Sequence, residues 1–215
     1  MTFDDQRERM VDTQLKARGL TDERLLAAFL KVPRHLFVPM EFRQDAYADR
    51  PLPIASSQTI SQPYIVALMT DALRLRGHER VLEIGTGTGY QTAILAEMAL
   101  EVFSVERLPE LLPAAAKRLD GLGYLNIHLS AGNGTLGRPE SVPYDAIVVS
   151  AAAPEIPDPL VAQLADGGRM VLPIGSPQAQ TLTLVEKHRG ALRRTDLGSC
   201  AFVPLIGRYG WSEQG

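Results

Sequence analysis

The sequence predicts an α/β fold: a mostly parallel central sheet with helices on both faces, an antiparallel C-terminal part, and an N-terminal helical lid. Three observations carry this. An apolar strand runs through a glycine-rich turn into an amphipathic helix near residue 85. The run Tyr144 to Val149 is nearly unbroken in its hydrophobicity, as a strand buried on both faces requires. Alternating apolar positions appear only towards the C-terminus. With 215 residues the chain falls between one domain and two at about 150 residues per domain. We read residues 1–215 as one domain, with 1–60 as a helical and loop extension covering the site. The composition, 45% hydrophobic and 22% charged with 18 glycines and 15 prolines, supports a core rich in turns and excludes disorder and coiled coil.

Met10, Val11 and Leu15, then Leu25, Leu26, Phe29 and Leu30, recur at helical spacing, with Gly19 ending one helix and Thr21 placed to cap the next. Four prolines between Pro33 and Pro53, interleaved with Phe37, Phe42 and Tyr47, mark irregular chain anchored by aromatics. The polar stretch Ser56 to Pro63 leads into a helix using Ile65, Leu68, Met69 and Ala72, with Ser61 or Gln62 at its start. Serine there reads first as an N-cap. Val81 to Ile84, the glycine loop, a helix on Tyr90, Ile94, Leu95 and Met98, and the strand Val102 to Val105 make a βαβ unit with a right-handed crossover. A helix on Leu108, Leu111, Leu112, Ala115 and Leu119 follows, then a strand at Asn126 to Leu129 and the central strand Tyr144 to Val149. Pro159 to Leu164 reads as a short helix stopped by Gly167 and Gly168, Arg169 to Ile174 as a strand, and Leu182, Leu184, Phe202, Val203 and Leu205 as later antiparallel strands.

The net charge of -3 speaks against a nucleic-acid partner, since phosphate backbones are gripped by basic surfaces. The lone Cys200 excludes an intrachain disulfide and any cysteine cluster for zinc or iron–sulfur, and with no long apolar run or leader-like start the expectation is a cytoplasmic protein off the membrane.

Gly85, Gly87 and Gly89 form G-x-G-x-G, neither the G-x-G-x-x-G of dinucleotide sites nor a phosphate loop. Glycines let a ligand approach the backbone, and the helix behind them presents free N–H groups. Glu83 lies inside the strand, and Glu106 closes the next strand 23 positions later, near the spacing at which a carboxylate reaches a ribose. Two carboxylates so close would repel a phosphate and welcome a cation. This argues against NAD and for a sulfonium nucleoside.

The stretch Val81 to Thr92, V-L-E-I-G-T-G-T-G-Y-Q-T, resembles the first motif of protein-L-isoaspartate O-methyltransferases, which use S-adenosylmethionine. Thr59-Ile60-Ser61-Gln62-Pro63-Tyr64, Ser104 to Arg107, Tyr144 to Val149, Pro154 to Pro157, Leu172 to Gly175 and Phe202 to Leu205 resemble that family in order and spacing. The resemblance implies a Rossmann-like class I methyltransferase that moves a methyl group from S-adenosylmethionine to the free carboxylate of isoaspartyl residues, leaving S-adenosylhomocysteine. The ester then collapses to a succinimide and the damaged backbone is repaired. It further implies that Ser61 orients the acceptor carboxylate as the catalytic residue, and that Thr59, Ile60, Ala201, Phe202 and Val203 contact the substrate. Glu83, Gly85, Thr86, Gly87, Tyr90, Glu106, Arg107, Asn133 and Gly134 would surround the cofactor; no metal is required. The expected partners are isoaspartyl proteins and peptides, met by a monomer.

Three positions depart from the family pattern. Ala55-Ser56-Ser57 replaces a segment often rich in glycine, Asn133 stands where aspartate is common near the adenine, and Ala201 stands where arginine is frequent. A carboxyl methyltransferase dedicated to one peptide or small molecule is the alternative these permit, and a noncatalytic nucleoside-binding protein is the more distant one. His35, His78, His128 and His188 accompany no nucleophile or metal motif, and Arg7, Arg9, Lys16 and Arg18 read as a solvated helix face.

Overall fold

The computed structural model describes residues 1–213. The chain opens with helix α1, Phe3–Met10, where Thr2 and Asp5 cap each other's backbone N–H groups. A wide turn, Val11–Leu15, and a tight one, Lys16–Arg18, prolong it to Gly19, whose φ of +87° turns the chain away. Helix α2, Glu23–Lys31, is capped by Asp22 rather than Thr21, because the Asp22 carboxylate reaches the N–H groups of both Arg24 and Leu25. Short 3-10 turns, Arg34–Leu36 and Met40–Asp45, carry the proline-rich stretch to a small hairpin of β1, Leu52–Pro53, and β2, Thr59–Ile60. Helix α3, Pro63–Leu73, starts with proline in its first turn, where the missing N–H removes no bond.

Then come β3, Arg80–Ile84; α4, Tyr90–Met98; β4, Glu101–Glu106; α5, Leu112–Gly121; β5, Ile127–Ala131; β6, Tyr144–Val149; α6, Asp158–Gln163; β7, Leu164–Ser176; β8, Ala179–His188; and β9, Ala191–Cys200. The seven-stranded sheet has the order β5-β4-β3-β6-β7-β8-β9, parallel from β5 through β7 and antiparallel from β7 through β9. The predicted α/β class and the central place of Tyr144–Val149 are both found. The chain leaves β3 towards one edge and returns at β6 towards the other, so a crevice opens where the order reverses.

Side chains alternate between two cores, as the two-residue period of a strand dictates. Val81, Ala146, Val148 and Val171 pack with α1, α2, α3 and α4, while Leu82, Ile147, Val149 and Met170 pack with Leu160 of α6. The N-terminal helices thus share the sheet's own core. Arg24 ties them further, donating to the carbonyls of Leu75 and Met98. Among the described residues no helix is long and apolar enough to cross a bilayer.

Several local expectations need correction. Gly167 and Gly168 do not stop α6; they lie inside β7, beside a register shift between Tyr144 and Ala146, and the helix gives way to the strand at Leu164. Phe202, Val203 and Leu205 form no strand: this segment makes a single bridge to Ala152, through Ala152 N–H to the Val203 carbonyl and Leu205 N–H to the Ala152 carbonyl. The last strand is instead β9, an exposed edge whose polar sequence, with Arg193, Arg194 and Asp196, carries no apolar alternation to find it by. Arg18 is not merely solvated, for it pairs with Asp49 and lies over the Tyr64 ring.

Replacing the fully buried Ile147 by alanine is expected to cost about 2–5 kcal/mol in equilibrium urea unfolding, whereas Leu192→Ala on the exposed edge strand costs less than about 0.5 kcal/mol. Similar losses at both positions would contradict a core that leaves Leu192 outside it.

Candidate active site

The crevice at the strand reversal is a cleft of about 450 Å³, well within the range of small-molecule sites. Its floor is the loop after β3, Gly85 to Thr88, with Glu106 to Leu108 after β4, Gly134, and Ser150 and Ala151 after β6. Its roof has two parts: the covering segment Ser57 to Gln62, and the strap Ser199 to Ile206, which is the end of β9 and the chain that follows it.

Gly87 has φ +52°, and a Cβ there would stand 3.7 Å from Ile54 of the covering segment, so glycine keeps this part of the floor open. Gly134 is needed for closeness instead: a Cβ would come within 2.3 Å of Ile84. Glu106 holds the loop, accepting from Gly87 N–H at 2.8 Å and Leu108 N–H at 3.0 Å. Each carboxylate oxygen keeps a second lone pair, and the side chain lines the cleft, so it can still accept from two hydroxyls of a ligand.

Glu83 does not line the cleft. It is wholly buried beneath the floor, where its Oε2 accepts from the hydroxyls of Thr92 and Ser104 at 2.6 Å each, while Oε1 has no partner. Since the Ser104 proton is given to Glu83, the 2.6 Å contact between Ser104 and Thr86 requires Thr86 to donate. The chain Thr86–Ser104–Glu83–Thr92 therefore anchors the glycine loop to β4 and α4. Burial pushes the Glu83 carboxyl from the usual 4.5 up to about 7 against the two hydroxyl bonds.

Ser61 borders the cleft and is not the cap of α3. The helix begins two residues later, with Gln62 in the cap position and no side-chain cap, and the Ser61 hydroxyl makes no hydrogen bond to any described residue. The backbone around it is held firmly. Leu52 pairs with Ile60 in the hairpin, Gln62 Nε2 donates to the Asp49 carbonyl, and Arg34 Nη2 donates to the Ser61 carbonyl at 2.7 Å. Ser56 and Ser57 both take left-handed backbone angles, φ 56° and 55°, so the serines adopt the conformation that glycine would favour at a penalty of roughly 1–2 kcal/mol each. Ser56 Oγ donates to Glu110 across the cleft rim.

Beside its bridge to Ala152, the strap is held by one side-chain amide. Gln180 Nε2 donates to the Phe202 carbonyl at 3.0 Å, and its Oε1 accepts from Phe202 N–H at 2.7 Å. Of the residues singled out from sequence, Thr59, Ile60, Ser61, Gly85, Thr86, Gly87, Tyr90, Glu106, Arg107, Gly134, Ala201, Phe202 and Val203 border one cleft. Asn133 borders an adjoining hollow of about 610 Å³ that shares Arg107 and Ile206 with it, and its Oδ1 accepts from Thr135 N–H and hydroxyl. Ser150 and Ala151 were missed, although their place directly after the central strand at a strand reversal is a readable signal. Arg34 and Gln180 were missed without any such signal, because their partners are backbone groups far away in sequence.

Glu83 binds its proton more tightly in the folded chain than in the unfolded one, so its contribution to stability is fully present below pH 4.5 and is lost as the pH rises through about 7. Glu83→Gln, which mimics the protonated form, is expected to remove this loss and to gain up to about 3 kcal/mol relative to wild type between pH 5 and pH 8 in urea titrations. A difference between the two proteins that stays constant over this range would show that the carboxyl does not titrate there.

A sequence model of the family described as protein-L-isoaspartate(D-aspartate) O-methyltransferase matches residues 5–210. A protein-L-isoaspartate O-methyltransferase from Methanoculleus marisnigri is 55% identical over 209 residues, 97% of this chain and 95% of that one. Its counterpart from Geobacter metallireducens is 52% identical over 215 residues, covering both chains fully. Among solved structures, a protein-L-isoaspartate O-methyltransferase superposes with TM-score 0.84 at 31% identity over 95% of this chain and 67% of its own. A Plasmodium falciparum structure described as a complex with S-adenosyl-L-homocysteine gives 0.81 at 25% identity, over 93% and 98%. With the matching model spanning almost the whole chain and the relatives matching end to end, this chain belongs to the protein-L-isoaspartate(D-aspartate) O-methyltransferase family and has its Rossmann-like class I methyltransferase fold.

Proposed function

We propose that the cleft is the transfer site of a protein carboxyl O-methyltransferase that uses S-adenosylmethionine and acts on isoaspartyl residues, with floor and roof dividing the work between cofactor and acceptor. The observation that carries the division is Ser61: a hydroxyl with no bond to any described residue, on a fixed backbone, bordering the same cleft as the glycine loop and Glu106. S-adenosylmethionine supplies an electrophilic methyl group on a sulfonium centre. The residues present fit it: Glu106 would accept from the ribose hydroxyls, Gly85 to Gly87 would let the cofactor lie against the backbone, and Asn133, whose amide nitrogen is unused, would meet the base from the adjoining hollow. Glu83 acts from beneath by holding the loop.

The acceptor carboxylate, with an ordinary pKa near 4, is ionised at neutral pH and needs no general base. The protein's part is to position it. The Ser61 hydroxyl would donate to one carboxylate oxygen, and the uncapped first turn of α3 adds its positive end. Thr59 and Ile60 on one side and Ala201 to Val203 on the other would hold the flanking peptide. Together roof and strap keep bulk water from the line of transfer. We read the chain as one monomeric domain whose first 60 residues form the lid, and place it in the cytoplasm, which the lone cysteine suits.

Labelled-methyl transfer to an isoaspartyl peptide, with the matching aspartyl peptide as control, is expected to give a base-labile ester on the first alone. Binding of the cofactor without transfer would sink the proposal, and label on a different carboxylate would favour the dedicated enzyme. Ser61→Ala is expected to lower kcat/KM roughly ten- to a hundredfold through the lost bond to a charged group. Unchanged turnover would remove serine from the mechanism.

A further inference from the structure

Arg34 is the largest side chain with no exposed surface, and every bond it makes is to something neutral. Its Nε donates to the Ala46 carbonyl at 2.7 Å and its Nη2 to the Ser61 carbonyl at 2.7 Å, while the guanidinium lies 4.7 Å from the centre of the Tyr90 ring. Nη1 is buried beside the Tyr90 hydroxyl, outside hydrogen-bonding geometry to any described residue. Among the described residues no carboxylate forms an ion pair with it; the ten pairs found elsewhere on the chain all involve other side chains. Arginine keeps its proton in proteins, so a positive charge is held out of water here without a counter-charge. Two carbonyls and an aromatic face would secure the side chain as a structural brace, yet they leave the charge itself uncompensated.

We infer that Arg34 is a positioning residue for the acceptor: it fixes Ser61 through its carbonyl and supplies, from behind the roof, a positive charge that the incoming carboxylate balances. Donation to the Ser61 carbonyl also polarises the Ser61–Gln62 peptide, strengthening its N–H as a donor at the start of α3. The same guanidinium packs on the Tyr90 ring, whereas the glycine floor is held by Glu83 and Glu106, so the cofactor's half of the cleft does not depend on Arg34. This rests on the reading that Ser61 receives the carboxylate. At one residue's remove, in a medium far less polar than water, the charge is expected to favour an anionic acceptor over a neutral isostere by tenfold or more.

The test compares two peptides bound to the enzyme with S-adenosylhomocysteine: one isoaspartyl, the other its isoasparaginyl twin with a neutral amide in place of the carboxylate. Wild type is expected to prefer the carboxylate. In Arg34→Gln the preference falls at least tenfold while affinity for S-adenosylhomocysteine changes less than twofold, and Arg34→Lys restores most of it. A folded Arg34→Gln that keeps the preference, or that loses both peptides equally, would overturn the inference, because a brace alone cannot tell a carboxylate from an amide. Should the glutamine variant not fold, the buried guanidinium resonances of the wild-type complex decide: they shift on adding the isoaspartyl peptide and not its twin, and equal or absent shifts refute the role. Ser61→Ala measured alongside separates the two claims. If neither wild type binds the isoaspartyl peptide nor Ser61→Ala changes anything, the site assignment fails; if Ser61 matters and the Arg34 preference does not move, only this inference does.

Discussion

The glycine loop stands on a carboxylate that has no access to solvent. Glu83 sits in the middle of a parallel strand flanked by β4 and β6, in a place where a hydrophobic residue would pack without penalty, and two hydroxyls converge on one of its oxygens. Burying it is unfavourable, and the raised pKa records that. The compensation is geometric: Thr92 opens the body of α4, Ser104 lies in β4, and Thr86 belongs to the loop, so three separate pieces of backbone are referred to one atom. The floor of the cleft, including the Gly87 N–H that Glu106 accepts, inherits its shape from this point.

The roof is built by a different physics. It contains only two short paired strands, and its segments are irregular, so its position depends on side chains reaching backbone carbonyls and amides. Arg34, Gln62 and Gln180 do this work from three distant parts of the sequence. Such clamps bind a loop without requiring it to adopt a repeating conformation, which suits a segment that must also accept left-handed serines. Floor and roof meet at Tyr90, whose ring is packed by Phe29, Phe37 and Arg34 from the covering side.

The difference between these two kinds of construction explains what could be read from the sequence. The parallel half of the sheet was legible because burial on both faces leaves unbroken apolar runs such as Ile147 to Val149, and the floor was legible because glycine spacing has few other uses. Ser61 was found through its motif, although its local reading as a cap was wrong: the proline at 63 already starts the helix, so a hydroxyl two residues earlier has no cap to make. Glu83 shares the motif of the cofactor loop without lining the cleft, because its side chain turns into the protein, towards Thr92 and Ser104, and not into the crevice. Arg34, Gln180 and β9 left no trace in pattern, since their partners are backbone groups or solvent, and neither imposes a residue type at a fixed spacing.

β9 closes the sheet without covering it. One edge of this ten-residue strand is paired with β8, and the other presents a row of backbone donors and acceptors to water, the arrangement on which strands from other copies of a chain can assemble. Its own sequence works against that outcome. Arg193 and Arg194 place adjacent like charges on the edge, Asp196 adds a third charge, and the shift in register between Thr181 and Thr183 interrupts the straight ladder a docking strand would need. The polarity that hid this strand from a hydrophobic pattern is therefore also what makes its open edge a poor template for a further strand.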